Sequence, residues 1–312
     1  MGRFILRRLV ASLFVLIGVS LLVFLTMRLS GDPVQLLMRE GNPSQEDIDR
    51  LRAALKLDRP LPEQYFTFVT GAVRGDFGES LRYRTPAMEE VLSRMPATLQ
   101  LSLAAYIFAL LVAIPAGIIS ALRRGGFVDF TTRLIALIGV SFPAFWLGLL
   151  LILLFAVRLH WLPVSGRGEG FVGSVKALIL PAITLGVAYA ATLMRLLRSS
   201  LLEALSQDYV RTARAKGLRG RTVLLTHVFR NALIPVITVA GLQIGFLLSG
   251  SVVVEAVFSW PGVGRLVVDS IGQRDYPIVQ AAVILLAAVL ILINLAVDLI
   301  LVAVDPRVRL TS

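Results

Sequence analysis

The sequence predicts an all-α polytopic membrane protein with six transmembrane helices and both termini in the cytoplasm. Of its 312 residues, 56% are hydrophobic and only 16% are charged, whereas soluble domains have about 45–50% and about 25%. The mean hydropathy is +0.81, and several apolar runs exceed the roughly eighteen residues that a helix needs to cross a bilayer. The chain has no cysteine, which excludes disulfides and thiolate metal sites.

The first span is predicted at about 9–27. It follows Arg3, Arg7 and Arg8, a basic start that is also typical of a cleaved signal peptide. The apolar run is long enough for a span, and Thr26-Met27-Arg28-Leu29 offers no small-x-small cleavage site. We therefore predict that this segment is retained as a transmembrane helix.

Residues 29–96 form the one sizeable polar region, and they are predicted to fold as a helical extracytoplasmic cap. Ser44-Gln-Glu-Asp47 has the pattern of a capping box, and a second helix is expected after Pro60 or Pro62. Thr85-Pro86 marks another helix start, because proline is favoured at the first helical position. The acidic residues of this region are dispersed rather than paired, which argues against a catalytic dyad.

Five further spans follow this region. Pro115 and Pro143 lie inside the second and third spans, and helix bundles tolerate such prolines because neighbouring helices satisfy the freed backbone groups. The longest inner loop joins the fourth and fifth spans, and a helix is expected to start within it near Thr222. The five spans are predicted at 99–122, 134–157, 178–197, 233–258 and 278–304.

The distribution of charge predicts the orientation in the bilayer. With the N-terminus inside, the inner segments hold sixteen Lys and Arg against four acids, a net of +12, whereas the outer segments hold fifteen of each. Positive-inside biasing predicts this asymmetry. The formal net charge of +11 therefore reports orientation and does not indicate a nucleic-acid partner. The inner segments are 1–8, 123–133, 195–232 and 305–312.

The sequence contains no motif for catalysis or metal binding. His160 and His227 are the two histidines, and neither has a companion at metal-ligand spacing. A G-x-S-x-G elbow is absent, and Gly217-Leu-Arg-Gly220 lacks the spacing of a phosphate-binding G-x-x-x-x-G-K-[ST] loop. We therefore expect a non-catalytic chain without a cofactor or metal of its own, which does not itself hydrolyse nucleotide.

Polar residues near the ends of two spans leave a second class of function open. Asn294 and Asp298 lie four positions apart on one helical face, and intramembrane carboxylates often mark ion paths. That pattern would suit an ion-coupled secondary transporter. Asp298 is, however, close to the cytoplasmic end, near Arg307 and Arg309, so we interpret it as a structural residue satisfied by a partner. Glu255, at the outer end of the fifth span, is a candidate gate or loop anchor.

A short helix is predicted in the long inner loop, at 208–217. Asp208 is expected to cap its first turn, and Gly217 is expected to close it in the left-handed conformation. Small Ala213 and Ala215 would let this helix lie close to a partner. A basic inner loop can be a topology signal only, but two marked ends favour a docking element. The basic residues at its rim are Arg211, Arg214 and Lys216.

This stretch resembles the permease subunits of ATP-binding-cassette (ABC) importers of the dipeptide and oligopeptide type. These permeases characteristically show Tyr-Val-Arg-Thr-Ala-Arg-Ala-Lys-Gly, as residues 209–217 do. The general E-A-A-x-x-x-G loop of ABC permeases is matched more loosely, with Arg211-Thr212-Ala213 at E-A-A and Gly217 at the glycine. Other stretches that resemble the same branch are Gly31-Asp-Pro33, Gly75-Asp-Phe-Gly-Glu-Ser80, the segment from Glu255 to Gly264, Arg274-Asp-Tyr-Pro277 and Asp305-Pro-Arg307.

The resemblance implies a type I ABC importer permease fold in the bacterial plasma membrane. The expected partners are a second, non-identical permease, two cytoplasmic ATPase subunits that bind ATP and Mg, and an external solute-binding protein. The 208–217 helix would then be a coupling helix seated on an ATPase, and the outer loop 259–277 would be a re-entrant lid or an interfacial helix with Leu266, Val267 and Ile271 on one face. The coupling residues implied are Tyr209, Arg211, Thr212, Ala213, Arg214, Lys216 and Gly217. The gate or lid residues implied are Glu255, Pro261, Gly262 and Gly264.

Three domains and one solute class are expected on this basis. The domains are the N-terminal tip with the first span at 1–28, the extracytoplasmic helical region at 29–96, and a five-span permease core at 97–308 that carries the coupling loop 195–232. The solute expected is a di- or oligopeptide. Glutathione, a nickel chelate or another peptide-like solute stays open, because permease sequences of this family separate these solutes poorly.

Overall fold

The structure is a computed structural model that describes residues 2–29, 46, 49, 52–53 and 57–304. Within these ranges the chain forms helices and turns, with no strand beyond an isolated bridge between Glu79 and Pro86, which confirms the all-α class. Apart from Glu46, the capping box expected at 44–47 lies outside the described residues, as do 31–33 and 305–307. The helices are α1 (Gly2–Leu29), α2 (Leu61–Val73), α3 (Ala87–Leu122), α4 (Phe127–Ser141), α5 (Ala144–Arg158), α6 (Gly170–Leu205), α7 (Asp208–Ala215), α8 (Gly220–Val257), α9 (Val263–Gly272) and α10 (Tyr276–Val304).

Among the described helices, α1, α3, α6, α8 and α10 are each long and apolar enough to cross a membrane, and the bent pair α4–α5 adds a sixth span if it counts as one. Two of these helices are longer than the sequence suggested. The helix expected after Thr85-Pro86 continues without a break into the second span as α3. The helix expected near Thr222 continues into the fifth span as α8, through a π-helical segment at Val223–Val228.

The third span is not the continuous helix predicted at 134–157. Its two halves, α4 and α5, meet at an angle of 107°. The ring of a proline drives the preceding residue out of the helical region, and Phe142 is extended, with φ −88° and ψ 133°. Pro143 follows with φ −58° and ψ 138°, and α5 begins directly after it. Pro143, predicted to lie inside the third span, therefore stands at a sharp bend between two helices.

The described chain divides into two compact units, of which unit 1 comprises Met1–Thr98 and Pro261–Leu292. The segment 261–292, which the sequence-based division assigned to the permease core, is thus grouped with the N-terminal part. In this unit Phe24 of α1 is buried against the rings of Tyr65 and Phe68 on α2, with centroids 5.4 and 6.0 Å away. Aromatic packing of this kind fastens α1 to α2.

Helix α9 of unit 1 is amphipathic, but its buried face differs from the predicted one. Val263 and Leu266 are almost fully buried, and Val267 packs at the edge of the same cluster. Ile271, expected on that face, is 48% exposed. Five residues advance a helix by about 500°, or about 140° past a full turn, so Ile271 cannot share the face of Leu266.

Unit 2 comprises Leu99–Trp260 and Ile293–Ser312, and α6 is the most deeply buried of its spans. Small residues let its neighbours approach closely, as is common between transmembrane helices. A methyl group at Gly186 of α6 would lie 2.7 Å from the carbonyl oxygen of Ala105 on α3. A methyl group at Gly139 of α4 would lie 2.7 Å from Cγ1 of Val187 on α6. Glycine at these two positions therefore sets the spacing of three helices.

Candidate coupling site

The short helix predicted in the inner loop exists as α7, Asp208–Ala215. Its start differs from the prediction, because Asp208 is the first helical residue and the extended Gln207 precedes it without a side-chain cap. The Asp208 carboxylate is exposed and lies 3.4 Å from Nη1 of Arg211, within the same helix. An acid in the first turn still interacts favourably with the amide dipoles there, so Asp208 marks the helix start without capping it.

The C-terminal end of α7 has the closure that the sequence predicted. Gly217 has φ +76°, in the left-handed region. Its amide donates to the Arg214 carbonyl at 2.9 Å, and the Leu218 amide donates to the Ala213 carbonyl at 3.3 Å. These two bonds form a Schellman motif, which satisfies the last carbonyls of a helix. No atom beyond the chain neighbours lies within 4 Å of a methyl group placed on Gly217, so the backbone conformation, rather than a lack of space, requires glycine.

Helix α7 is seated on its own chain by one narrow apolar face. Val210 and Ala213 are buried, with exposed fractions of 1% and 8%. They join a hydrophobic cluster that includes Leu201 of α6 and Val223 and Val228 of α8. Burial of this kind contributes about 25 cal/mol per Å² of apolar surface, so α7 is held against the ends of the two spans that flank it.

The opposite face of α7 is polar and open. Of the coupling residues that the family resemblance implies, all except Ala213 are exposed on or just after this helix. Its basic side chains reach outward while Val210 and Ala213 face inward, so the helix presents a cationic surface on a fixed base. The exposed residues are Tyr209, Arg211, Thr212, Arg214, Lys216 and Gly217.

A buried ion pair that the sequence analysis did not single out lies near the same end of unit 2. Asp129 is 1% exposed and accepts bonds from Nε and Nη2 of Arg198 at 2.7 and 2.9 Å. It also accepts from the Ser120 hydroxyl at 2.5 Å and from the Gly125 amide at 3.0 Å. Arginine at the end of a span and a single acid in segment 123–133 were visible in the sequence, but their pairing depends on how α3, α4 and α6 pack.

The predicted gate residues are divided between the two units. Glu255 of unit 2 is fully buried and accepts from the Ser251 hydroxyl at 3.1 Å. Pro261, Gly262 and Gly264 belong to unit 1, where Gly262 directly precedes α9. Their role as a gate or lid stays a prediction. Across the described ranges, no group of three or more His, Cys, Asp or Glu side chains is placed to hold a metal ion.

Two family profiles match the sequence. The profile described as "Binding-protein-dependent transport system inner membrane component" matches residues 113–310. A profile for the N-terminal membrane component of such systems matches residues 1–104. The two matches cover nearly the whole chain.

Curated relatives match the chain from end to end. The dipeptide transport system permease protein DppB of Escherichia coli (strain K12) is 43% identical, over 99% of each chain. The di/tripeptide transport system permease protein DppB of Pseudomonas aeruginosa (strain UCBPP-PA14) is 44% identical, over 98% of each. The glutathione transport system permease protein GsiC of Escherichia coli (strain K12) is 46% identical, over 99% of each.

Solved structures support the fold. An inward-facing MetNI methionine ABC transporter chain aligns with a TM-score of 0.58 at 21% identity, covering 70% of this chain and 97% of that one. A chain of an amino acid ABC transporter crystallised with histidines aligns with a TM-score of 0.52 at 16% identity, covering 70% and 94%. From the profiles and the full-length identities, this chain belongs to the family of inner-membrane components of binding-protein-dependent transport systems.

Proposed function

We propose that this chain is a permease subunit of an ATP-driven ABC importer for di- or oligopeptides. In this proposal it forms half of a translocation pathway together with a second, non-identical permease. Two cytoplasmic ATPase subunits bind ATP and Mg, and an extracytoplasmic protein delivers the solute. This chain supplies the membrane path and contributes no catalytic group.

The observation that carries the proposal is the construction of α7. Its Schellman closure at Gly217 and the burial of Val210 hold the helix against α6 and α8, while its cationic side chains stay exposed. A short element fixed in this way transmits a push from a bound partner to the spans without fraying. The sequence offers no phosphate-binding loop of its own, so the ATPase is a separate chain.

The peptide solute is supported by the relatives named above, which carry dipeptides, tripeptides or glutathione according to their names. Glutathione is itself a tripeptide, so the shared chemistry is a short chain of amide groups with charged ends. A nickel chelate or another peptide-like solute is the alternative within the family. The alternative from another class is an ion-coupled carrier, for which Asp298 would be the coupling residue.

The test is uptake by the purified complex in proteoliposomes. The chain is purified from native membrane with the proteins that accompany it, and accumulation of labelled dipeptide, glutathione and nickel chelate is measured with and without ATP inside the vesicles. We expect two ATPases, a second permease and a binding protein in the complex, and dipeptide uptake that requires ATP. Uptake driven by an imposed ion gradient without ATP, and abolished in Asp298→Asn, would refute the proposal in favour of the ion-coupled carrier.

A further inference from the structure

The buried ion pair of Asp129 and Arg198 joins three helices of unit 2 at one point. Ser120 lies two residues before the end of α3, Asp129 is the third residue of α4, and Arg198 lies on α6. The Arg198 guanidinium approaches both carboxylate oxygens of Asp129 and also donates to the Ser120 hydroxyl at 3.1 Å. One oxygen also lies 3.5 Å from Nε of Arg133. A bidentate contact of this kind fixes the orientation of the two side chains as well as the distance between them.

The hydrogen bonds around Asp129 oppose separation of α4 from α3 and α6. The Asp129 carboxylate is 1% exposed. Its oxygens accept hydrogen bonds from the Ser120 hydroxyl, the Gly125 amide and the Arg198 guanidinium. A buried ion pair is stabilising only when such additional hydrogen bonds complete it, and removal of one partner leaves an uncompensated charge. The three helices are therefore tied by a directional polar link rather than by apolar packing alone.

Arg198 is also close to the coupling helix along the chain. It lies seven residues before the end of α6, a distance of about 10 Å along the helix axis, and α7 begins after a turn of two residues. Over that interval, Leu201 and Ala204 of α6 belong to the hydrophobic cluster that holds Val210 of α7. The end of α6 and the coupling helix thus form one packed body that includes the Arg198 anchor.

Helix α4 is attached to α6 at a second point farther along. Gly139 of α4 lies against Val187 of α6. The two attachments are ten residues apart on α4 and eleven apart on α6, or about 15 and 16 Å, and the numbering runs in opposite directions. The helices are therefore antiparallel and fastened at both ends of their contact. Between the two attachments, Ala136 of α4 packs in one hydrophobic cluster with Ala191 of α6, so the ion pair adds a directional contact at the end of an apolar interface.

We propose that the Asp129–Arg198 pair is a positioning element that makes α4 move with the coupling helix. This positioning role rests on the proposed function, because it specifies how a displacement of α7 reaches the third span. With the pair intact, displacement of α7 and the end of α6 carries α4 along. With the pair broken, only apolar contacts hold the start of α4 to α6, and part of the motion is lost before it reaches the pathway.

The first test measures the number of ATP molecules hydrolysed per peptide imported, in the assembled complex in proteoliposomes. The variants are Arg198→Lys, which keeps the charge but loses the bidentate contact, and the double variant Asp129→Leu/Arg198→Met. The double variant is expected to fold, because replacing both members of a buried ion pair by apolar residues is often tolerated. Glu90→Gln is the control, since it removes the partly buried pair of Glu90 and Arg94 on α3, at 2.9 Å.

For both variants of the Asp129–Arg198 pair we expect a severalfold rise in ATP consumed per peptide, with the control unchanged. A merely structural role would lower the amount of assembled complex but leave that ratio the same. An unchanged ratio in an assembled double variant would overturn the inference while leaving the proposed function intact. A wild-type complex without ATP-dependent uptake would overturn the proposed function, and the inference with it.

The second test measures whether α4 and the coupling segment move as one body. The chain has no cysteine, so Leu134→Cys on α4 and Ser206→Cys after α6 accept spin labels at exposed positions, in a complex whose partners are also cysteine-free. We expect the distance between the labels to stay constant between nucleotide-free and ATP-trapped states of the otherwise wild-type complex. It should change in the Asp129→Leu/Arg198→Met background. A distance that responds equally to ATP in both backgrounds would contradict the inference.

Discussion

The Ser80 hydroxyl donates to Oδ2 of Asp275 at 2.5 Å, across a separation of 195 positions in the sequence. Both side chains are buried in unit 1. The Ser80 hydroxyl in turn accepts from the Tyr83 amide at 2.9 Å, so it links a turn before α3 to the residue that precedes α10. The stretches 75–80 and 274–277, which resembled the peptide-importer branch separately, are therefore joined by one buried hydrogen bond.

We predict that Ser80→Ala destabilises unit 1 without affecting insertion into the membrane. The substitution removes the shortest hydrogen bond to a carboxylate that is 1% exposed and takes the Ser80 acceptor from the Tyr83 amide, and loss of a buried hydrogen bond of this kind costs about 1–3 kcal/mol. The measurement is the thermal unfolding midpoint of the detergent-solubilised complex. Ser93→Ala is the matched control, because the exposed Ser93 bonds only to the Glu90 carbonyl of its own helix. Equal midpoints for the two variants would contradict a stabilising role for the hydrogen bond between Ser80 and Asp275.

Gly217→Ala should impair coupling while leaving the amount of inserted protein unchanged. Alanine at φ +76° costs about 1–2 kcal/mol, because its Cβ approaches the following carbonyl in the left-handed region, and relief of that strain unwinds the Schellman closure. The measurement is stimulation of ATP hydrolysis by the loaded binding protein, together with peptide uptake.

Gly220→Ala is the control for that experiment. Gly220 also has no atom within 4 Å of an added methyl group, but its φ is not in the left-handed region. Alanine there favours the start of α8 because it has a higher helix propensity than glycine. If the two variants transported equally well, the closure of α7 would not matter for coupling.

The exposed face of α7 should bind the ATPase in a salt-dependent manner. Replacing Arg211, Arg214 and Lys216 together by Gln removes three positive charges while Val210 and Ala213 keep the helix seated. Because exposed charges are screened over about 10 Å at 0.1 M salt, we expect the affinity of the permease pair for the ATPase to fall most at low ionic strength. The measurement is ATPase binding to nanodiscs at two salt concentrations. A loss of affinity that is the same at both concentrations would point to shape rather than charge.

The sequence predicted those features that depend on a continuous stretch of chain. Runs of apolar residues located the spans, and the glycine at 217 located the end of α7. The sharp bend between α4 and α5 was not predicted, because a proline in an apolar run does not show whether the chain beyond it continues in the same direction. The direction of α5 depends on contacts with distant helices, since Gly148 of α5 lies against Thr184 of α6 and Val257 of α8.

Contacts between distant residues could not be predicted in the same way. Asp129 and Arg198 lie 69 positions apart, and in the sequence each counted only as a charge in an inner segment. Their pairing follows from the antiparallel contact of α4 and α6, which in turn depends on the absence of a side chain at Gly139. Single-sequence patterns carry no information about which helices are neighbours.

Gly186→Ala should be the most destabilising glycine substitution in the spans described here. An added methyl group would lie 2.7 Å from the carbonyl oxygen of Ala105 and 2.7 Å from Cδ1 of Phe108. The backbone of a buried helix cannot yield as the tip of a side chain can, and overpacking of this kind costs about 1–3 kcal/mol. We expect a lower unfolding midpoint and a reduced yield of complex.

Gly18→Ala is the matched control for that experiment, since Gly18 of α1 is also within an apolar helix but has no atom within 4 Å of the added methyl group. Helix propensity favours alanine at both positions by about the same amount. A difference between the two variants therefore measures the close approach of α3 and α6, and equal stability would show that these helices are farther apart than the structure places them.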